Sequence, residues 1–293
     1  MYYIIANPTA GRKKKNKPYE EVVKYLKDNN VPHELHETQA FEDPIKIAKE
    51  LCEKHPEGGK IIVIGGDGTI NEVVNGIIDL SKWEIGIIPA GSGNDIATKI
   101  GIILKKPIEA LKTILFGKTK PIDIVDVNGM KCVNIAGTGI DIDVLLRFER
   151  YKKLKGSFRY LCALLVTLLK FKWYTFKVSV DDKPFETKTG FIAAACNGSQ
   201  YGGGIRICKD AIVDDGIMDY VFCKKVNRLS IIFYLIQLMR GKIQKYKLYE
   251  RQLCKKIVFE SDKEFYLNVD GKIIKNTRFE CKILPKQLNI YRP

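Results

Sequence analysis

Two glycine-rich stretches hold the residues of this chain best suited to chemistry. Ile61 to Glu72 reads IIVIGGDGTINE, four β-branched residues followed by three glycines, an acid and a hydroxyl within five positions. The pattern is a buried strand ending in a tight turn, and Val73, Val74, Ile77 and Ile78 recur beyond it at helical spacing. A strand, a glycine turn and a helix N-terminus together make an anion cradle. Gly65, Gly66 and Gly68 let backbone amides approach phosphate oxygens, Thr69 adds a hydroxyl, and the helix dipole favours negative charge. Asp67 would repel that phosphate unless a cation lies between, so it is read as facing Mg²⁺ or its water shell. A lone stretch of this kind is more often an unliganded turn. The second stretch, Pro89-Ala-Gly-Ser-Gly-Asn-Asp95, shifts the balance. It follows the short apolar run Ile85 to Ile88 and again offers glycines, a hydroxyl (Ser92) and an acid (Asp95) ahead of a helix.

The elements around these stretches follow from their periodicity. Tyr2 to Ala6 is an apolar strand, closed by the turn Asn7-Pro8-Thr9-Ala10-Gly11 and the basic run Arg12 to Lys15. Apolar spacing predicts helices over Tyr19 to Asn29, residues 44 to 54 and Ile108 to Leu115, with a strand over His33 to Thr38. A β-α-β-α order continuing to residue 100 requires a parallel sheet with right-handed crossovers, whose loops collect at the carboxyl edge of the strands. From Pro121 the period changes to alternation. Strands are predicted over 122 to 127, 131 to 136, 174 to 180, 189 to 196, 217 to 223, 256 to 260, 264 to 270 and 279 to 284. The expected fold is therefore a parallel-sheet α/β domain over 1–120 and an antiparallel β-sandwich-like domain over 121–293. Its last residues are free to return to the first domain, with the active site in the cleft between the two.

Composition narrows the partners. The chain has 293 residues, 45% of them hydrophobic, enough for two modest cores. Lys and Arg number 49 against 34 Asp and Glu, a net charge of +15 that calls for an anionic partner. No recognition helix, zinc finger or aromatic RNA-binding motif accompanies the charge, so nucleic acid is not expected, whereas lipid headgroups and nucleotide phosphates account for it. Eight cysteines lack CxxC spacing and read as small buried hydrophobes in a reducing cytosol. No leader segment is evident, and the apolar run Tyr160 to Leu169 is about half a bilayer span. Val226 to Lys242 is an apolar helix with a basic tail. Core packing is the commoner use of such a helix, and lying on a membrane is the alternative.

GGDGTINE, PAGSGND and the opening NPTAG together resemble the soluble diacylglycerol kinase-like lipid kinases, relatives of sphingosine and ceramide kinases. The resemblance implies an ATP- and Mg²⁺-dependent kinase that phosphorylates a lipid hydroxyl, diacylglycerol by analogy, while cytoplasmic and peripherally bound to membrane. It places Asn7, Pro8, Thr9, Ala10, Gly11 and Thr38 at the nucleotide with Gly65, Gly66, Asp67, Gly68, Thr69, Asn71 and Glu72. Ser92, Gly93, Asn94 and Asp95 join them from the second stretch, and Asp67 and Asp95 govern the catalytic Mg²⁺. Asn134 to Asp141 and Asn197 to Gly204 resemble loops turned toward the acceptor cleft. In the segment Asp210 to Asp219, the family's structural Mg²⁺ would fall to Asp215 and the carbonyls of Ile212 and Ile217. A plain Asp-Gly turn is the competing reading there. Whether the chain forms a homodimer is left open.

One position departs from the family. Leu267-Asn-Val-Asp270-Gly271-Lys272 aligns with a segment whose usual ending is aspartate, glycine, glutamate, the glutamate being the general base. Lys272 stands in its place. Asp270 could act instead, the register could shift locally, or positioning and Mg²⁺ could carry the rate. Further alternatives are a nucleotide- and lipid-binding protein without turnover and an NAD kinase-like enzyme.

Overall fold

A computed structural model describes residues 1–8, 10, 18–151, 166, 167, 170 and 173–293. Thr9, Gly11, the lysines 13 to 15, Cys162 and most of the Tyr160 to Leu169 run lie outside the described residues.

The first half alternates strand and helix as the periodicity requires. Its elements are β1 (Tyr2–Ala6), α1 (Pro18–Asp28), β2 (His33–Glu37), α2 (Asp43–Lys54), β3 (Gly59–Gly65), α3 (Asp67–Gly76), β4 (Trp83–Pro89), α4 (Asp95–Lys99) and α5 (Pro107–Phe116). The strands run parallel in the order β2-β1-β3-β4, with Ile4 beside Ile62 and Ile62 beside Gly86. Ile4, Ile5 and Ile61 to Ile64 are fully buried because helices cover both faces, as a parallel sheet needs. The helix after the first glycine stretch begins at Asp67 itself, earlier than its apolar spacing indicates, so Gly68 and Thr69 form its first turn.

The second half is antiparallel. It comprises β5 (Thr119–Val127), β6 (Met130–Cys132), β7 (Ile135–Gly139), α6 (Ile140–Arg150), β8 (Tyr174–Val180), β9 (Glu186–Cys196), β10 (Met218–Lys224), α7 (Arg228–Met239), β11 (Tyr249–Cys254), β12 (Lys256–Val269) and β13 (Lys272–Tyr291). Alternation sorts side chains between two cores. Met218, Tyr220 and Phe222 enter the core shared by β8, β12 and β13, while Val221 and Cys223 on the other face meet Ile231 and Leu238 of α7. Residues 256 to 269 form one strand with an irregularity between Glu260 and Phe265, where two separate strands were expected. β11 was not expected at all. The seven described cysteines are buried free thiols.

β13 joins the halves. It pairs antiparallel with β12 and β5, and its end runs parallel to β4, with Asn289 and Ile290 beside Glu84 and Ile85. Ile122, Ile124, Leu288, Ile290 and Tyr291 accordingly belong to the core of the first half. The expected division near residue 120 falls inside β5. Asp123, fully buried on that strand, accepts hydrogen bonds from the amides of Gly216 (2.7 Å) and Lys286 (2.8 Å), tying two loops of the second half to the seam.

Candidate active site

The loops after β1, β2, β3 and β4 collect at one edge of the parallel sheet, each stitched to its neighbour. Asn7 N–H donates to the Ile64 carbonyl (2.9 Å), Thr38 N–H to Ala6 (2.8 Å) and Ala90 N–H to Gly65 (2.8 Å). The two glycine stretches lie on the same side and touch. A Cβ on Gly91 would stand 2.5 Å from the Gly66 Cα, and one on Gly65 would stand 2.6 Å from the Thr69 side chain, so neither position admits a larger residue. Nothing lies within 4 Å of a Cβ on Gly68, which faces open space at the start of α3.

The acids of the two stretches are neighbours. Asp67 Oδ1 accepts the Ile96 N–H at 3.1 Å, capping the short helix that Asp95 begins. Asp95 Oδ1 accepts Gln200 Nε2 (2.7 Å), and its Oδ2 accepts the Gly203 N–H (2.8 Å), so the second half grips it directly. Burial holds the Asp95 carboxyl above the usual carboxylate range; the Gly203 and Gln200 bonds oppose this, and the Asp67 charge adds to it. Two carboxylates crowded beside amide-rich glycine bends make a donor set suited to Mg²⁺, which binds through one or two carboxylates with phosphate oxygens and water. A divalent cation there would relieve their repulsion.

These bends wall a cavity of about 460 Å³ between the halves. Gly66, Asp67, Ser92, Gly93 and Asp95 line it from the first half; Asn134, Leu145, Tyr201, Gly203 and Lys272 line it from the second. A second cavity of about 340 Å³ lies toward β1 and β2, lined by Asn7, Thr38, Gly68, Thr69 and Glu72. Phe41, Gly68 and Glu72 border both. Glu72 is half-buried, and burial raises its pKa against the opposing backbone bond from Glu42.

Several expected residues spend their side chains on the fold, and of these Asn71 also lines the larger cavity. Asn94, in the left-handed region at φ 56°, closes its own turn with Oδ1 on the Gly91 N–H and Nδ2 on the Gly91 carbonyl, both at 2.9 Å. Asn71 Nδ2 donates to the Lys131 carbonyl and to Asp270 Oδ2, each at 3.0 Å, so its side chain braces the second half. Pro8 and Ala10 are half-buried in the loop after β1, where the Ala10 N–H donates to Asn7 (3.0 Å).

Asp270 and Lys272 flank a two-residue hairpin turn. Asp270 (φ 48°) and Gly271 (φ 98°) are both left-handed, the backbone of a type I′ turn between β12 and β13. The Asp270 carboxylate reaches the cavity wall but accepts hydrogen bonds from the amides of Val133 (2.6 Å), Asn134 (3.2 Å) and Ile135 (2.9 Å) as well as from Asn71. Burial nevertheless leaves its pKa raised, because the desolvation of an enclosed carboxylate outweighs those bonds. Lys272 Nζ lies 3.6 Å from Glu42 Oε1 across the cleft.

The expected second metal site forms one tight turn. Asp215 is exposed, its Oδ1 accepts the Ile217 N–H at 3.0 Å, and Gly216 takes φ 74°. One carboxylate with the carbonyls of Ile212 and Ile217 is a hard-oxygen set, which fits a cation completed by water. Among the described residues no three His, Cys, Asp or Glu side chains gather into a metal-binding group.

Comparison with known proteins matches this architecture along the whole chain. Residues 1–127 match the diacylglycerol kinase catalytic domain, and residues 134–292 match the YegS C-terminal NAD kinase beta sandwich-like domain. Diacylglycerol kinase of Bacillus subtilis is 30% identical over 92% of this chain and 88% of its own length. Diacylglycerol kinase of Staphylococcus carnosus is 27% identical over 99% and 94%, and a Shewanella frigidimarina protein named "Probable lipid kinase YegS-like" is 28% identical over 80% and 77%. The chain belongs to the family of diacylglycerol kinases and YegS-like lipid kinases. In fold it resembles the crystal structure of a diacylglycerol kinase from Bacillus anthracis (TM-score 0.73, 21% identity, 100% of this chain and 96% of that one). It also resembles an NAD kinase from Archaeoglobus fulgidus in complex with ATP (TM-score 0.55, 13% identity, 100% and 94%).

Proposed function

We propose that this chain is an ATP-dependent lipid kinase that phosphorylates diacylglycerol to phosphatidic acid at a membrane surface on the cytoplasmic side. The observation that carries the reading is the contact between the two glycine bends. It sets Asp67 and Asp95 side by side at the head of a cavity that the second half completes. In this reading residues 1–120 form the nucleotide-binding domain and 121–293 the lipid-binding domain, and the cavity of Asn7, Thr38 and Thr69 takes the nucleotide. The larger one, with Leu145 and Tyr201, takes the acceptor.

Transfer then needs the acceptor oxygen in line with the γ-phosphorus. The hydroxyl loses its proton to a base, its oxygen bonds to phosphorus, and the bond to the bridging oxygen breaks, releasing ADP. Asp67 and Asp95 would hold Mg²⁺, which when bound would supply neutralisation of the phosphate charge. The amides at Gly66 and Gly68 and the N-terminus of α3 receive the remaining phosphate charge. Asp215, with the carbonyls of Ile212 and Ile217, would hold a second, structural Mg²⁺.

Asp270 is committed to three amides and Lys272 has no acceptor, so neither suits the base. Glu72 borders both cavities and its raised pKa favours proton capture, and we assign it that role. The ion pair of Lys272 with Glu42 favours one other reading, a nucleotide- and lipid-binding protein with little turnover. Incubating the protein with labelled ATP, Mg²⁺ and micelles of a lipid panel separates the two. Label in phosphatidic acid supports the kinase, while saturable binding without transfer to any lipid favours the sensor. A silent wild type made active by Lys272→Glu would locate the defect.

A further inference from the structure

α7 carries a stripe of large apolar side chains that the other described residues leave uncovered. Leu229, Ile232, Phe233, Ile236 and Met239 are 87%, 50%, 47%, 42% and 64% exposed. They recur at the spacing of one helical face. The opposite side is anchored, because Ile231 and Leu238 are buried against the β9-β10 sheet. An apolar core helix would hide this stripe, so core packing accounts for only half of α7.

Charge identifies what covers the stripe. Between Tyr220 and Tyr249 the sequence has seven basic residues and no acidic one. Arg240, Lys242, Lys245 and Lys247 follow the helix directly and are all exposed. A second copy docking through this face would bring two such clusters together, and the repulsion would oppose it. A surface offering anionic headgroups above an apolar layer satisfies both features. At 12 residues the helix is about 18 Å long, too short to span a bilayer and suited to lying in its interface. Among the described residues no helix is long and apolar enough to cross a membrane.

The stripe is tied to the larger cavity. Ile231 and Leu238 share their core with Tyr201 and Ile205, whose backbones pair across the Gly202-Gly203-Gly204 loop. Tyr201, Gly202 and Gly203 wall the cavity, and a Cβ on Gly241, just past α7, would stand 3.0 Å from Arg206. We infer that α7 seats its Leu229–Met239 face in an anionic lipid bilayer, with the basic cluster on the headgroups, and so presents the Tyr201–Gly203 wall of the acceptor cavity to the membrane. The link to the acceptor rests on the lipid-kinase reading; the docking surface itself does not.

The test is sedimentation of the full chain with vesicles of phosphatidylcholine alone or mixed with phosphatidylglycerol. The wild type is compared with Leu229→Glu/Phe233→Glu and Lys242→Glu/Lys245→Glu. Each double variant is also checked for its melting temperature, its sedimentation velocity and its transfer of phosphate to a short-chain diacylglycerol dissolved as monomer. The inference predicts binding that requires phosphatidylglycerol and weakens with salt. The apolar variant should lose about 100-fold or more in partitioning, with melting and transfer to the soluble lipid unchanged. Vesicle binding equal in wild type and both variants overturns it, as does a wild-type dimer that the apolar variant dissolves. Intact vesicle binding with no transfer to the soluble lipid would leave this surface standing and defeat the kinase reading instead.

Discussion

Asp67 and Asp270 are both acids next to a glycine at the end of a strand, yet the chain uses them in opposite ways. Asp67 opens a helix, accepts one amide from α4 and lines the cavity with Asp95 beside it. Asp270 occupies a left-handed turn position and directs both oxygens at the backbone of Val133 to Ile135. The first is left with capacity to bind a cation; the second is a bracket that fixes the entry of β7 against the hairpin. An acid in a motif is available for chemistry only to the extent that the surrounding amides have not already claimed its lone pairs.

Substitutions should separate the two roles. The largest effect is expected for Asp67→Asn, which keeps size but removes the charge that would hold the cation. Lipid phosphorylation should fall by about 10³-fold or more with little change in melting temperature, measured by initial rates and thermal denaturation. Glu72→Gln should lower kcat by about 10²-fold and leave ATP binding nearly intact, since only the proton acceptor is lost. Retained kcat would return the base to another residue. Asp270→Ala should act on the fold, leaving the amides of Val133, Asn134 and Ile135 unpaired. Denaturant unfolding should show a loss of about 3 kcal/mol. If that variant were inactive but fully stable, Asp270 would belong with Asp67.

The smallest effect concerns pH. Because burial raises the Asp95 pKa above that of a free carboxyl, the folded protein binds that proton more tightly than the unfolded chain. Stability is therefore lost as pH rises from the unfolded carboxylate value through the raised folded one. Mg²⁺ bound beside Asp67 should restore it above that window. The Mg²⁺-induced gain in melting temperature should grow as pH rises through the window and then level off, and Asp95→Asn should flatten the profile.

How much of this was legible beforehand varies with the kind of signal. Ile61 to Glu72 announced its strand, turn and helix because a fully buried parallel strand has no polar alternation to confuse it. The contact between the two glycine bends follows from adjacent parallel strands, β3 and β4. Asp270 was harder. Asp-Gly is a strong two-residue hairpin signal, but nothing in the sequence places the amides of Val133 to Ile135 opposite its carboxylate. Asn71 and Asn94 are polar residues in a phosphate-like context, and only the fold shows that their amides bind backbone and Asp270. β11 escaped notice because YERQLC is a mostly exposed edge strand with weak alternation. The exposed half of α7 was illegible because a short apolar helix reads the same whether a core or a membrane covers it.

The central claim is that the paired bends at Gly65 to Thr69 and Gly91 to Asp95 grip a nucleoside triphosphate with magnesium. Isothermal titration of the full chain with Mg·ATP addresses it most directly, with Gly91→Ala as the control that pushes a methyl group toward Gly66. The account predicts saturable one-to-one binding by the wild type that Gly91→Ala weakens severely, while Asp270 stays bound to its three amides in both. Absence of binding heat in the wild type, or equal affinity in the two proteins, would contradict it.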